Sequence, residues 1–169
     1  MTLVIYLLDA DTLIRANSTY YPIKRFPVFW EWLRHHGAAG LIKIPLEQYE
    51  EIVIGKGELV DWLKDEETKA ALLFDEEADP ALVTEVTERG YAPDLDEAEQ
   101  EKVGRDPFLI AYGYAAPNER CLVTFEVSAP KKQRSNRKIP DICNDLNVSC
   151  GTLFDLIEAL DFTTEWKVQ

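Results

Sequence analysis

Two acidic side chains in this sequence follow apolar runs, at the kind of position where parallel sheets bind their ligands. Asp9 comes directly after the apolar residues 3–8, and Glu126 comes directly after residues 122–125. A continuous apolar run of this length is typical of a strand that is buried on both faces of a sheet. Because α/β sheets bind ligands at the carboxyl ends of their strands, we expect both carboxylates to lie at a candidate site.

Two more acids are predicted to join them from the helices that connect the strands. Asp106 precedes Pro107 at the start of a predicted helix, and Glu51 lies on the helix that follows a second predicted strand. A cluster of carboxylates without histidine or cysteine partners is the ligand set that Mg²⁺ or Mn²⁺ prefers. The chemistry of such a site is phosphodiester hydrolysis. The predicted metal-binding and catalytic residues are therefore Asp9, Glu51, Asp106 and Glu126.

Each candidate also has an ordinary structural interpretation. Asp106 is a good N-cap, Glu51 fits a solvated helix face, and Glu126 fits the charged end of a strand. Asp11 is either the acceptor of an Asx-turn or a residue that supports the metal site directly or through a water. Thr124 either orients a carboxylate or simply favours the strand.

Strands and helices alternate along the chain, which predicts an α/β fold. The expected architecture is a three-layer α/β/α sandwich with a central, mostly parallel sheet of roughly four to five strands. It is expected to form a single domain over residues 1–169. The predicted strands are residues 3–8, 41–44, 122–125 and 148–150, and a loop is expected at residues 17–24.

One predicted helix is rich in aromatic residues. It opens at Pro27 and carries Trp30 and Trp32. Positions two residues apart do not share a helix face, so we expect only one of these tryptophans to face the core. Gly37 is the expected C-cap of this helix.

The charge of the chain is distributed unevenly. A net charge of −13 argues against indiscriminate binding to nucleic acid, because the field of the protein repels phosphates. Residues 56–105, which we call the acidic segment, carry 16 of the 31 acidic and 6 of the 18 basic residues. We expect a helical insertion of roughly two or three helices here. It either covers the groove and repels nonspecific nucleic acid, or it is a solvated surface.

Residues 131–138, which we call the basic loop, have the opposite charge. They include Lys131, Lys132, Arg134, Arg137 and Lys138 among turn-forming residues. One interpretation is a patch that binds the phosphates of an RNA backbone. The other is an exposed loop that its charges keep soluble.

Four segments of the chain resemble, in order, the motifs of PIN-domain nucleases. They are residues 6–14, 44–55, 106–111 and 122–126. In the second motif the acid stands four residues before a glycine, and this register selects Glu51. The resemblance covers nearly the whole chain. It implies a PIN-like fold and a metal-dependent nuclease whose metal ligands are the four acids given above.

A narrower resemblance is to the DUF4411 group of PIN-like prokaryotic proteins, carried by residues 20–22, 26–32 and 138–143. The wider family includes VapC-type toxins, which cut RNA and are held silent by a cognate antitoxin, and homodimers are common among them. The resemblance therefore implies an RNA substrate, an antitoxin partner and a homodimer. Two features depart from the family pattern: Glu126 stands where Asp is commoner, and the acidic segment is long.

Two other functions stay open. A haloacid-dehalogenase-like phosphatase would use Asp9 as nucleophile and Asp11 as acid and base, but its signature resembles Asp-x-Asp-Gly-Thr, whereas Thr12 follows Asp11 directly here. A degenerate PIN module would bind RNA or a protein partner without cutting it. No stretch approaches the roughly 20 apolar residues that span a bilayer, and no signal peptide is recognisable, so we expect a cytoplasmic protein without membrane contact.

Overall fold

The structure, a computed structural model, describes residues 3–168, and these are built around one parallel sheet. Its strands are β1 (Ile5–Leu8), β2 (Ile42–Lys43), β3 (Arg120–Val123) and β4 (Ser149–Gly151), in the order β2-β1-β3-β4. All neighbouring strands run parallel. The predicted α/β class with a mostly parallel sheet is thus confirmed, and β1 lies beside β3 at the centre. The ends of the predicted domain, residues 1, 2 and 169, lie outside the described residues.

Ten α-helices within residues 3–168 flank the sheet. The first five are α1 (Ala10–Arg15), α2 (Pro27–Ala38), α3 (Leu46–Val53), α4 (Glu58–Lys64) and α5 (Glu66–Leu72). The second five are α6 (Pro80–Val86), α7 (Glu97–Val103), α8 (Asp106–Ala115), α9 (Ile139–Leu146) and α10 (Leu153–Ala159). Short π-helices cover Ala16–Tyr20 and Thr87–Tyr91, and 3₁₀ turns cover Arg134–Asn136 and Trp166–Val168. In this part of the chain no helix combines the length and the apolar character that crossing a membrane requires.

The two central strands divide the core into two layers. Leu7 and Leu122 pack with α8 and α9 on one face of the sheet, whereas Leu8 and Val123 pack with α2, α4 and α5 on the other. Each of these four side chains is at most 1% exposed. The strands are therefore buried on both faces, as their continuous apolar runs predict. Helices on both faces of one sheet agree with the predicted three-layer sandwich.

The acidic segment folds into α4 to α7 and one π-helix, which is more than the two or three helices expected. Leu63 of α4 and Leu72 of α5 join the core on one face of the sheet, and Val86 of α6 and Val103 of α7 join the core on the other. The first pair of helices is divided at Asp65, which ends α4 and caps α5. An aspartate that serves both helices is not visible in the spacing of apolar residues.

The loop expected at residues 17–24 begins instead as a π-helix. The N–H of Tyr21 donates to the carbonyl of Ala16 at 2.6 Å, which closes this helix. The Tyr21 ring stacks on Phe29 of α2 with the ring centroids 4.3 Å apart. Tertiary packing of the aromatic side chain therefore stabilises a conformation that the local polar sequence does not predict.

The prediction that only one tryptophan of α2 faces the core is wrong. Trp30 and Trp32 are each 1% exposed. Trp30 packs edge-on against Trp62 of α4, and Trp32 packs against Phe162, which follows α10. Both tryptophans are buried because neighbouring elements enclose α2 on more than one side.

Gly37 does not end α2 as expected, because the helix continues to Ala38 and its C-cap is Ala39. A Cβ atom on Gly37 would lie 2.5 Å from Cδ2 of Leu72. The glycine is required because α5 approaches the backbone of α2 closely at this point.

Candidate active site

The ends of β1 and β3 bring two of the predicted site residues to neighbouring positions. Leu8 pairs with Val123 in register, and the N–H of Asp9 donates to the Val123 carbonyl at 3.1 Å. β3 ends at Val123, two residues earlier than the apolar run suggests, so Glu126 lies beyond the strand. Both acids therefore lie at the carboxyl edge of the sheet, where the parallel topology predicts a site.

The Asp9 side chain is almost fully buried at this edge, with 4% of the residue exposed. It caps α1, since its Oδ1 accepts the N–H of Thr12 at 2.7 Å. Burial raises the pKa of the Asp9 carboxyl to about 6, and hydrogen bonds from Thr12 and Thr124 oppose this rise. Asp9 thus caps α1, as the ordinary interpretation predicts. Because its carboxyl is buried, the ionised form is unfavourable without a nearby positive charge.

Thr124 links the two strand-end acids. The residue is 1% exposed, and its backbone N–H donates to the Gly151 carbonyl at 3.0 Å. Its hydroxyl oxygen accepts the N–H of Glu126 at 3.1 Å, and the Thr124 side chain also lowers the pKa of the Asp9 carboxyl. Because Thr124 lies after the last residue of β3, these contacts favour an orienting role over a simple strand preference.

Asp106 is the first residue of α8, and the N-cap is Arg105. The ordinary interpretation of Asp106 as the cap is therefore wrong by one residue, and such boundaries often shift by that much. The pKa of Asp106 is raised to about 7, first by burial and then by the negative charges of Glu126, Asp9 and Glu51. The other three predicted ligands thus lie within electrostatic reach of Asp106.

Glu126 and Glu51 differ in how firmly they are held. Oε2 of Glu126 accepts the N–H of Ile139 at 2.7 Å, at the first residue of α9. Glu51 is exposed on α3, a helix that packs against both α1 and α8. Its neighbour Glu50 instead forms an ion pair with Arg105 at 3.1 Å. This difference agrees with the motif register, which selects Glu51.

Gln48 is a residue of this site that the sequence interpretation missed. It is 1% exposed on α3, and its Oε1 accepts the N–H of Ala10 at 2.9 Å. Its Nε2 donates to the carbonyl of Arg105 at 3.2 Å. One side chain therefore joins the residue after Asp9 to the residue before Asp106. A signal for it exists, because Gln48 stands four residues before the apolar Ile52 and so lies on the buried face of α3.

A cavity of about 280 Å³ opens beside the acids. Asp106 and Glu126 line it, and Lys102, Lys132 and Lys138 line it as well. Among the residues that the structure describes, none of these lysines forms an ion pair with either carboxylate. The positive charge of Lys138 lowers the pKa of Asp106, although burial and the neighbouring acids outweigh it. Acidic and basic groups therefore face one space without contacting each other.

The residues of the basic loop fall into groups with different surroundings. Arg134 bonds through Nε and Nη2 to the Glu99 carboxylate at 2.9 Å and through Nη1 to Asp94 at 2.8 Å. Arg137 donates to the Gly90 carbonyl and forms an ion pair with Asp145, both at 2.6 Å. These two arginines are engaged within the protein. Of the predicted RNA-binding residues, Lys132 and Lys138 line the cavity without an ion pair, and the paired Arg137 lines it as well. Lys131 is exposed outside the lining.

Asp11 does not join the other acids at the cavity. It is exposed in the first turn of α1 and lies 3.9 Å from Arg15, one helical turn later. Its charge is the weakest of the influences that raise the pKa of Asp9. The structure therefore places Asp11 beside the candidate site, on the solvent side of α1.

The donor set fits a hard divalent cation in ligand type and charge. It consists of carboxylate oxygens alone, and their mutual repulsion raises the pKa of Asp106. The arrangement is not closed around an ion, since within residues 3–168 no three His, Cys, Asp or Glu side chains form a group that could hold a metal. The exposed Glu51 is free to change its rotamer, whereas Glu126 is held by the N–H of Ile139.

Comparison with known proteins identifies one family. The sequence profile of DUF4411, described as a domain of unknown function, matches residues 6–164. Within the described residues 3–168, the match includes β1 from Tyr6 onward, the other three strands and the ten α-helices. No curated protein and no solved structure matches the chain.

Proposed function

The chain belongs to the DUF4411 family, and for it we propose a metal-dependent endoribonuclease activity that hydrolyses RNA phosphodiester bonds. The observation that carries the proposal is the convergence of acids from separate elements at the carboxyl edge of a parallel sheet. Asp9 follows β1, Glu126 follows β3, Glu51 lies on α3, and Asp106 begins α8. Their charges act on one another, and two of them line the same cavity.

In this proposal Asp9, Glu51, Asp106 and Glu126 hold Mg²⁺ or Mn²⁺. A cation bound there supplies an activated water and stabilises the leaving oxygen of the cleaved phosphodiester. The protein orients the acids through hydrogen bonds: Asp9 is fixed by Thr12 and Thr124, and Glu126 by Ile139. One lone pair on each bonded oxygen, together with the second carboxylate oxygen, stays available to a ligand.

We extend the proposal to a biological role through the resemblance to PIN-domain toxins. The protein would be the toxin of a toxin-antitoxin pair, acting on RNA in the cytoplasm and silenced by a cognate antitoxin, and it would form a homodimer. This extension rests on family analogy alone. Growth arrest on expression in a bacterial host, absent with Asp9→Asn, would support it; unimpaired growth with active enzyme present would remove the toxin role.

A degenerate PIN module is the second candidate, and one observation favours it. The acids do not form a closed group for a metal within residues 3–168. In this case the cavity would bind RNA or a protein partner without hydrolysis. The phosphatase alternative is less well supported, because its nucleophile would be Asp9, which is 4% exposed and accepts the N–H of Thr12.

The test is cleavage of a mixed single-stranded RNA pool in Mg²⁺, in Mn²⁺ and in EDTA. We expect metal-dependent cleavage that Asp9→Asn abolishes, since asparagine keeps the helix cap and removes the charge. Glu51→Gln should also abolish cleavage, whereas the matched variant Glu50→Gln should keep it, because Glu50 pairs with Arg105 instead. Binding of RNA without cleavage in either metal would identify the degenerate module.

A further inference from the structure

The cavity beside Asp106 and Glu126 is lined by lysines from two separate parts of the chain. Lys132 and Lys138 come from the basic loop, and Lys102 comes from α7 in the acidic segment. We propose that Lys102, Lys132 and Lys138 form the phosphate-binding wall of the active site, so that the acidic segment contributes directly to substrate binding. This inference rests on the proposed function and assigns the substrate backbone to one side of the cavity.

The surrounding charges support this assignment by contrast. The two arginines of the basic loop are paired with acids, Arg134 with Asp94 and Glu99 and Arg137 with Asp145. The cavity lysines form no ion pair in the described part of the chain, although Asp106 and Glu126 line the same space. Ammonium groups that face a cavity unpaired provide attraction for an anion, and a phosphate carries both negative charge and several acceptor oxygens.

The lysines are positioned by contacts that do not use up their charge. Lys102 Nζ donates to the side-chain oxygen of Asn136, a neutral group in the 3₁₀ turn of the basic loop. Lys138 is the N-cap of α9, and the next residue, Ile139, is fixed by its bond to Glu126. Each of these lysines therefore has a defined position and keeps its positive charge available.

The arginines of the basic loop have a different role in this proposal. Arg134 and Arg137 hold the loop against Glu99, Asp94 and Asp145, and their guanidinium groups are engaged there. Three of the five basic residues expected to bind RNA line the cavity, namely Lys132, Lys138 and Arg137, but Arg137 is paired with Asp145. Arg134 fastens the loop, and Lys131 lies outside the lining. The structure adds Lys102 to the residues expected to bind RNA. The sequence does not indicate this role, because Lys102 lies in a segment with a net negative charge.

The size of the cavity also points to a small charged group. At about 280 Å³ it lies just below the roughly 300–1,000 Å³ typical of sites for drug-sized ligands. One phosphate group with its adjoining sugar atoms suits this space. The same chemistry is offered by an RNA backbone or by a free phosphate compound, and the experiment has to separate these sources.

The experiment measures binding of a labelled single-stranded RNA by fluorescence anisotropy, with Ca²⁺ in place of Mg²⁺ and with intact RNA verified on a gel. Lys102→Met and Lys132→Met remove one charge each and keep the apolar stem. The matched controls are Lys64→Met and Lys56→Met, both at exposed positions in the same acidic segment. Thermal unfolding verifies that all four variants fold.

We expect each cavity variant to weaken RNA binding about tenfold and to reduce the salt slope by about one, as loss of a phosphate contact does. The controls should change affinity less than about twofold. Equal effects of Lys102→Met and Lys64→Met would overturn the inference and leave the proposed function standing, because RNA would still be bound.

A second measurement separates the two sources of phosphate. Inorganic pyrophosphate is titrated into wild-type protein and Lys102→Met by calorimetry. If the wild type binds pyrophosphate but not RNA, and Lys102→Met binds neither, the phosphate wall stands and the ribonuclease proposal fails. If the wild type binds neither ligand, the wall is overturned.

Discussion

The side-chain amide of Gln48 donates to the backbone carbonyl of Arg105 at 3.2 Å, across 57 positions of sequence. The same side chain accepts the N–H of Ala10 at 2.9 Å. It therefore joins α1, which Asp9 caps, to α8, which Asp106 begins. Because Gln48 is buried, neither backbone group has water as a substitute partner.

Replacing Gln48 by Leu should destabilise the protein more than an exposed glutamine does. The variant keeps the approximate volume but leaves two backbone groups unpaired, so we expect the free energy of unfolding to fall by about 2–4 kcal/mol. Urea unfolding measures this change. The control is Gln100→Leu, an exposed position where the expected loss is within about 0.5 kcal/mol. Equal losses in the two variants would show that Gln48 does not join the acid-bearing elements.

The metal-free protein should become less stable as the pH rises from about 4 to about 7. The pKa of Asp9 is about 6 and that of Asp106 about 7 in the folded protein, against an ordinary value of 3.8, so the folded state binds protons that the unfolded chain has already lost. Once Asp9 is fully ionised, its shift corresponds to a loss on the order of 3 kcal/mol. Well below pH 3.8 the two carboxyls are protonated in both states and the loss disappears.

Asp9→Asn isolates the contribution of Asp9 to this pH dependence, since asparagine caps α1 equally well without titrating. Thermal unfolding in EDTA should show a smaller decline between pH 4 and pH 7 for the variant than for the wild type. Identical declines would mean that the buried carboxyl does not carry the raised pKa.

Thr124 should control the ionisation of Asp9 through its hydroxyl. The hydrogen bond from Thr124 lowers the pKa of Asp9, so Thr124→Val should raise that pKa further above about 6. Thr124→Ser keeps the hydroxyl and serves as the matched control. An NMR titration of the aspartate carboxyl carbons measures the pKa, and the same value in the Val and Ser variants would exclude the orienting role.

Arg134 should fasten the basic loop to α7. Its backbone φ of 55° lies in the left-handed region, which a non-glycine residue adopts when its surroundings hold it there. Arg134→Ala removes the bonds to Asp94 and Glu99 and should speed amide hydrogen exchange across residues 131–137. Arg25→Ala, at an exposed arginine remote in sequence, is the control. Unchanged exchange in Arg134→Ala would mean that other contacts hold the loop.

Much of the fold follows from the sequence because the pattern that predicts it is local. The apolar runs before Asp9 and before Glu126 identify β1 and β3, and alternation with helices predicts the parallel sheet. The predictions that are wrong concern features that depend on tertiary contacts. Trp32 is buried by Phe162, and Gly37 is required by Leu72, and neither partner is close in sequence.

For the candidate site too, some features can be predicted from the sequence and others depend on tertiary packing. The sequence predicts which acids converge, because strand ends and helix starts are readable positions, and Asp106 responds to the charges of the other three. It does not predict that Arg134 is engaged by Glu99, or that Lys102 reaches the cavity, because both depend on where the acidic segment packs. Gln48 was missed because its spacing from Ile52 shows only that it is buried, and not that it bonds to Ala10 and Arg105.

Whether the acids form a metal site is measured by a calorimetric titration of the metal-free protein with Mn²⁺ at pH 8, in buffers of different ionisation enthalpy. We expect the wild type to bind Mn²⁺, with release of any protons still held by the acids, and Asp106→Asn to bind it at least about tenfold more weakly. The matched variant Glu50→Gln should bind as the wild type does. Absence of Mn²⁺ binding at a pH where Asp9 and Asp106 are ionised, or equal binding by Asp106→Asn, would contradict the central claim that these acids form a metal site.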